Sequence, residues 1–153
     1  MSDGASGGST SRRHFLTVLA TGGAALGAVC LGAGGCLAGG PSGKIPAGNV
    51  KDLAVPSLQA VQGESVAIGR DEGGVYAMTL ICTHASCDMA TQGEVTAHGV
   101  LCSCHGSEFS PNGAVVVGPA NAPLEHFLVT VDAGGNITID ADQGVSADQR
   151  AKV

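Results

Sequence analysis

The fold of this chain is decided by two segments, Cys82-Thr83-His84-Ala85-Ser86-Cys87 and Cys102-Ser103-Cys104-His105-Gly106-Ser107. Together they contain four of the six cysteines and two of the five histidines. Each segment follows a stretch typical of a β-strand, so both are predicted to be loops at strand ends. Cysteine and histidine at this density indicate a metal site, a disulfide or both.

Several chemistries compete for these residues. Haem attachment requires Cys-x-x-Cys-His, and the second segment is one residue short of that motif. Zinc fits the composition, but Cys82 and His84 are closer in sequence than the usual zinc ligands, and zinc leaves Cys87 and Cys104 without a role. A pure disulfide framework leaves both histidines unexplained. Nucleophilic Cys–His catalysis needs one thiolate and one base, not two matched sets.

The two segments resemble the two boxes of the Rieske iron–sulfur family, C-x-H-x-x-C and C-x-C-H-G-S. Their combined spacing, with 17 residues between His84 and Cys102, makes the resemblance specific. Gly118-Pro119-Ala120 and Pro123-Leu124 resemble the family's proline loop, which covers the cluster. The resemblance extends over residues 45–140 or so.

The resemblance implies one [2Fe–2S] cluster per subunit. Carried over by position, Cys82 and Cys102 bind one iron, while His84 and His105 bind the other. Cys87 and Cys104 form a disulfide that ties the loops together, which fits an exported protein. The Ser107 hydroxyl corresponds to the family serine that donates to a bridging sulfide. The resemblance assigns no catalytic residue.

Two neutral imidazoles in place of two thiolates raise the reduction potential to about −150 to +300 mV, against about −400 mV for all-cysteine plant-type sites. Phe109 occupies the position where high-potential members have a tyrosine that donates to a cysteine sulfur. We therefore expect a potential above that of dioxygenase ferredoxins and below the highest respiratory members. Ser86 replaces the usual glycine, and Ala85 replaces a larger apolar residue that shields the cluster.

The first forty residues are predicted to be an export signal. Ser11-Arg12-Arg13-His14-Phe15-Leu16 resembles the twin-arginine pattern S-R-R-x-F-L. The apolar run from Phe15 to Ala38 is long enough to cross a bilayer as a helix, which needs about 20 residues. Cleavage near Cys36, retention as a membrane anchor and lipidation of Cys36 remain alternatives. The division expected is a twin-arginine signal or anchor at 1–40 and a Rieske domain at 41–153, on the periplasmic face.

The remainder of the chain is predicted to be all-β. Its short apolar runs and closely spaced turns favour a small antiparallel sandwich or open barrel with a cluster-binding subdomain of two loops, preceded by the N-terminal signal or anchor helix. The polar tail 143–153 is expected to be frayed. The predicted hairpins are 64–70 with 75–81, the Asn112-Gly113 turn before 114–117, and 127–131 with 137–139.

Composition excludes some partners. The 153 residues include 25 glycines, 7 basic and 13 acidic side chains, and a net charge of −6. So few basic residues cannot supply a nucleic-acid surface, so no nucleic-acid partner is expected. His98 is predicted to be a solvated turn residue, His126 a structural one, and Asp88 a solvated carboxylate.

The function expected is extracytoplasmic one-electron transfer from a quinol or cytochrome b-type donor to a cytochrome c-type acceptor, with membrane attachment through the N-terminal segment. The chain would be the Rieske subunit of a quinol:cytochrome oxidoreductase or a free-standing relative. Without a substrate pocket in the sequence, enzymatic activity of the chain alone stays open. The alternatives are the small Rieske subunit of a periplasmic molybdenum oxidoreductase, similar to arsenite oxidase, and a non-redox zinc or disulfide interaction module.

Overall fold

The computed structural model describes residues 39–153. They form ten strands in two antiparallel sheets, so the all-β prediction is confirmed. The helical content is a 3-10 turn at Val50–Asp52 and one short helix, α1, at Met89–Gln92. The strands are β1 Lys44–Asn49, β2 Ser57–Ala60, β3 Val66–Asp71, β4 Gly74–Thr79, β5 Gly93–Thr96, β6 Gly99–Cys102, β7 Ser107–Phe109, β8 Val115–Val117, β9 His126–Val131 and β10 Asn136–Val145.

The larger sheet is the base of the domain and has the strand order β1-β10-β9-β4-β3-β2. Strands β3 and β4 pair from Val66 opposite Thr79 to Asp71 opposite Gly74. This is the first predicted hairpin, and the β9–β10 hairpin is the third. Apolar side chains on one face of this sheet form one core, which includes Ile68, Phe127 and Ile139.

The smaller sheet has the order β5-β6-β7-β8 and carries the second Cys/His segment between β6 and β7. The predicted Asn112-Gly113 turn lies between β7 and β8. The connection is longer than a two-residue turn, because the N–H of Ser110 donates to the carbonyl of Ala114. A second core, with Met78, Leu80 and Met89 fully buried, lies beneath the two cluster loops.

The C-terminal tail is ordered, so the prediction of a frayed tail was wrong. Strand β10 extends to Val145. Beyond it, Ala151 and Val75 exchange two backbone hydrogen bonds of 2.8 and 3.0 Å. Gly74 has φ +133°, and a Cβ there would collide with the Ala151 carbonyl oxygen, so a glycine is required for this close approach. The tail can pair there because β9 bonds to β4 only at Ala77 and Met78, which leaves the N–H and carbonyl of Val75 available. The composition of the tail does not show this.

Residues 1–38 of the predicted export signal at 1–40, which include its apolar run from Phe15 to Ala38, lie outside the described residues. Within residues 39–153 no helix has the length and apolarity needed to span a bilayer.

Candidate metal centre

The two Cys/His segments are tight loops closed by their own backbone. In the first loop, Cys82 and Cys87 are joined by an N–H to carbonyl bond of 2.9 Å, and the Ser86 N–H donates to the Cys82 carbonyl at 2.9 Å. Ser86 has φ +58°, a left-handed conformation that favours glycine. In the second loop, the Gly106 N–H donates to the Cys102 carbonyl at 2.9 Å. Gly106 has φ +78°, so each loop turns back at one residue with positive φ.

A disulfide joins Cys87 in the first loop to Cys104 in the second. The sulfurs of these two residues and of Cys102 lie within 4.8 Å of one another, a grouping that could in principle hold a metal ion. However, the disulfide consumes two of these three thiols. The thiols left to bind a metal among residues 39–153 are those of Cys82 and Cys102.

These two free thiols are buried and adjacent. Cys82 is 2% exposed and Cys102 is fully buried. Burial raises the pKa of the Cys102 thiol, and contact with the Cys82 thiol raises that pKa further. The backbone N–H groups of Cys104 and His105 act in the opposite direction, because they donate toward the Cys102 sulfur and lower its pKa. Two thiolates in this position require a bound cation to balance their charge.

The two histidines lie on the outer side of the same site. Both rings are exposed, and their centroids are 4.8 Å apart with an angle of 82° between the ring planes. The fold thus pairs the predicted ligands by type, thiol with thiol and imidazole with imidazole, with the sulfur donors buried and the nitrogen donors at the surface. This donor set fits a [2Fe–2S] cluster with two thiolates on one iron and two imidazoles on the other.

A third segment, residues 118–124, lies over the two loops. The Ala120 N–H donates to the Ser107 hydroxyl oxygen at 3.0 Å, and Ser107 is fully buried. The Thr83 hydroxyl donates to the Ala122 carbonyl at 2.7 Å. Each loop is therefore held to the segment that resembles the proline loop. Sequence reasoning missed the role of Thr83, whose only signal was a hydroxyl between two predicted ligands.

Asp88 is not the solvated carboxylate that was predicted. Its carboxylate accepts hydrogen bonds from the Ala90 N–H at 2.9 Å and the Ser65 hydroxyl at 2.8 Å. It caps α1, which follows the first loop directly. The signal for this was the Asp before a short helical stretch, a common N-cap pattern.

The other two histidines among residues 39–153 take the positions expected of them. His98 is exposed in the turn between β5 and β6. His126 is buried at the start of β9, where its Nδ1 lies 3.2 Å from the Leu124 carbonyl oxygen. Burial lowers the pKa of His126. Phe109 occupies the position where high-potential family members have a tyrosine. Its side chain is only 2% exposed and belongs to the second core.

Comparison with known proteins supports this site. The family model of the Rieske [2Fe-2S] domain matches residues 43–128. The cytochrome b6-f complex iron-sulfur subunit of Synechococcus is 36% identical over 88 residues, which cover 56% of this chain and 49% of the relative. The chain thus spans about half the length of that relative. The subunit of the same name from Prochlorococcus marinus subsp. pastoris is 37% identical over 148 residues, or 81% of this chain and 80% of the relative.

A solved complex of oxygenase and ferredoxin in carbazole 1,9a-dioxygenase matches in fold, with a TM-score of 0.50 and 20% identity. The match covers 69% of this chain and all of the other. The family model covers more than half of the chain and includes both loops that carry the predicted ligands. This protein therefore belongs to the Rieske [2Fe-2S] domain family, and its cofactor is a [2Fe–2S] cluster.

Proposed function

We propose that this protein is an extracytoplasmic one-electron carrier in which Cys82 and Cys102 bind one iron while His84 and His105 bind the other. The observation that supports this most directly is the arrangement of donors, with two buried thiols beneath two exposed imidazoles that face each other at 4.8 Å. When bound, the cluster accepts and releases a single electron at a potential raised by its neutral ligands.

The two imidazoles provide the contact with the donor. A histidine that binds a metal through one ring nitrogen keeps the other nitrogen as a site for a proton. Because both rings are exposed, a donor can reach that nitrogen from outside the domain. A quinol gives up a proton together with each electron, so it is the donor class that suits a pair of exposed imidazoles.

The buried side of the site sets the electrostatic environment. The N–H groups of Cys104 and His105 stabilise negative charge on the Cys102 sulfur. The oxygen of Ser107 already accepts from Ala120, so the serine keeps its own proton available as a donor. Donors to the sulfur atoms make the reduced state more favourable and raise the potential. Burial of both thiols excludes water from this side.

The proposed partners follow from the names of the relatives. Since they are iron-sulfur subunits of cytochrome b6-f complexes, we propose a quinol or cytochrome b-type donor and a cytochrome c-type acceptor. The twin-arginine pattern at residues 11–16 supports export to the periplasmic face, with 1–40 as a signal or membrane anchor and 41–153 as the functional domain.

Metal analysis and spectroscopy test this function. The expected result is two iron atoms and two acid-labile sulfides per chain, and an EPR signal on reduction that is lost when His84 and His105 are both replaced by alanine. Zinc without sulfide would contradict the proposal and would favour the non-redox interaction module. The matched control is Ser103→Ala, at an exposed residue between the two proposed ligands of the second loop. It removes a hydroxyl but no ligand, so the EPR signal should remain.

A further inference from the structure

The two cluster loops contain four cysteines, of which the proposed iron site uses only two. Cys82 and Cys102 are buried in the core beneath the loops. Cys87 and Cys104 pack against that core, are half-buried and are joined as a disulfide. Disulfides persist in oxidising compartments and are kept reduced in the cytosol. The same fold therefore presents two thiols in one compartment and four in the other.

The four sulfur atoms lie close enough to share one metal ion. Those of Cys87, Cys102 and Cys104 are all within 4.8 Å of one another. The Cys82 thiol is in hydrogen-bond contact with Cys102. Zinc binds four thiolates as a tetrahedron with Zn–S bonds of about 2.3 Å, which places the sulfurs roughly 3.8 Å apart. Reduction of the disulfide lets its two sulfurs separate to van der Waals contact, which brings them toward that arrangement.

The backbone of the loops also suits a thiolate site. Four residues separate Cys82 from Cys87, and structural zinc sites commonly have two to four residues between paired cysteines. Cys102 and Cys104 are separated by one residue, and here the fold itself brings the sulfurs together. The N–H groups of Cys104 and His105 donate toward the Cys102 sulfur. Such donors stabilise a metal-binding thiolate.

The side chain of Gln92 complements a charged sulfur at Cys104. Its Oε1 atom lies 3.4 Å from Cys104 Sγ. A disulfide sulfur has no proton to donate, so this acceptor gains nothing from the contact in the oxidised state. When the amide turns end for end, its NH2 group donates to a Cys104 thiolate. The Gln92 carbonyl accepts from the Ser103 N–H at 2.9 Å, which holds this residue beside the second loop.

We propose that the reduced loops form a site for one zinc-class ion and that the disulfide closes this site. Its four ligands are the thiolates of Cys82, Cys87, Cys102 and Cys104. Thiolate donors in a tetrahedron favour zinc over the harder divalent cations. Each Zn–S bond replaces a thiol proton, so binding releases four protons. Because zinc here occupies both cysteines proposed to bind iron, zinc and the iron–sulfur cluster exclude each other.

The disulfide thereby acts as a selectivity element for the metal. Its formation removes two electrons and two protons from Cys87 and Cys104, and a dithiol-oxidising protein of the extracytoplasmic compartment accepts them. With two of its four donors bonded to each other, the site loses most of its affinity for zinc. The occurrence of the reduced state in cells rests on the proposed function, because a twin-arginine substrate folds in the reducing cytosol before export.

Zinc titration of the full chain, freed of its cluster, against a competing chelator tests this site. Every protein compared carries Cys30→Ser and Cys36→Ser, so that the two loops hold its only four cysteines. One sample is reduced with a phosphine, and the other has its disulfide formed. We expect the reduced protein to bind one zinc ion about a hundredfold or more tightly than the disulfide form. Equal affinity of the two forms would overturn the proposal.

Two matched double variants identify the ligands. Cys87→Ser with Cys104→Ser retains the ligands proposed for iron, and after reduction it should bind zinc as weakly as the disulfide form. His84→Ala with His105→Ala retains all four thiols and should bind zinc as tightly as the reduced parent protein. Tight binding by the serine variant would overturn the proposal. Loss of binding in the alanine variant would do so too, since it would show that zinc uses the imidazoles.

Two further measurements separate the possible failures. X-ray absorption at the zinc edge should show four sulfur neighbours at about 2.3 Å, and nitrogen neighbours would contradict the site. Far-UV circular dichroism of each sample shows whether the sheets are intact, and zinc held only by an unfolded chain would also contradict it. Iron and acid-labile sulfide are measured on the protein with its disulfide formed. A failure of the proposed electron carrier is therefore distinguishable from a failure of the zinc site.

Discussion

The hydroxyl oxygen of the fully buried Ser107 accepts a hydrogen bond of 3.0 Å from the backbone N–H of Ala120. This bond fixes both the segment that covers the site and the direction in which the serine proton can point. Because the oxygen is occupied as an acceptor, the hydroxyl is free to donate to another group. The same contact therefore links the geometry of the covering segment to the electrostatics of the metal site.

Replacing Ser107 by alanine should lower the reduction potential. Loss of one hydrogen bond to a charged group is worth about 1.5–3 kcal/mol, which corresponds to about 60–130 mV for a one-electron couple. An EPR-monitored redox titration measures this shift. Ser103→Ala is the matched control and should leave the potential unchanged. A variant that retains its cluster and the original potential would show that the Ser107 proton does not face the cluster.

Replacing Phe109 by tyrosine should raise the potential. Phe109 packs in the core beneath the loops, and the new hydroxyl is expected to donate to a cysteine sulfur, as in high-potential relatives. One neutral hydrogen bond contributes about 1 kcal/mol, or about 40 mV. Val129→Thr adds a hydroxyl in the core of the base sheet and should not change the potential. A titration in which both variants shift equally would contradict this.

Removing the disulfide with Cys87→Ser and Cys104→Ser should loosen the two loops. The bridge spans a sequence separation of 17 residues, and a loop of that length is worth about 3 kcal/mol of stability. We expect denaturant unfolding to show a loss of that order and the cluster to be released faster on dilution or heating. An unchanged rate of cluster release, followed by visible absorbance, would mean that backbone bonds alone hold the loops.

Replacing Arg150 by methionine should destabilise the whole domain. Its guanidinium lies 4.1 Å from the Tyr76 ring centroid and donates to Asp71 at 2.7 Å and to Asn112 at 2.8 Å. It thereby ties the tail to the base and to the β7–β8 loop. The expected cost is about 2–3 kcal/mol, since the partners are left partly buried. Lys152→Met removes an exposed cation of the same tail and should cost less than about 0.5 kcal/mol in urea unfolding.

Stability should decline as the pH falls below about 6.5, the ordinary pKa of histidine. Burial lowers the pKa of His126 in the folded state, so the unfolded chain takes up a proton first and gains relative stability on acidification. The contribution of His126 is complete above its unfolded pKa and is lost as the pH falls through its folded pKa. His126→Asn should flatten this part of the pH profile. The free energy of unfolding is measured in urea from pH 7 to pH 5. If it falls equally in the wild type and in the variant, the loss of stability comes from a group other than His126.

A second decline is expected at lower pH from Asp71. Burial would raise the pKa of this carboxyl, but the hydrogen bond and charge of Arg150, with the N–H groups of Gly73 and Gly74, bring it below its ordinary value. Its contribution is present above the unfolded pKa and is lost as the pH falls through the folded one. Asp71 is 39% exposed, so the effect should stay below about 1 kcal/mol. The Arg150→Met variant should lack this decline of stability at low pH.

Local patterns carried most of what could be predicted. The hairpin of β3 and β4 depends on alternating residues and a turn between them, and both are contiguous in the chain. The two Cys/His segments could be identified for the same reason, since each places its donors within six residues. The turn at Asn112-Gly113 was predicted at the correct place. The loop is longer than a two-residue turn, because it is closed by the hydrogen bond from the Ser110 N–H to the Ala114 carbonyl.

Contacts between distant segments were not predictable in this way. The roles of Thr83 and Asp88 depend on Ala122 and Ser65, and the ordered tail depends on the open backbone beside Val75. The sequence by itself determined the donor types, their order and the β-rich character of the chain, because these depend on neighbouring residues. Only the tertiary structure decided that the thiols lie inside and the imidazoles outside, because packing of the two sheets assigns each side chain to a surface.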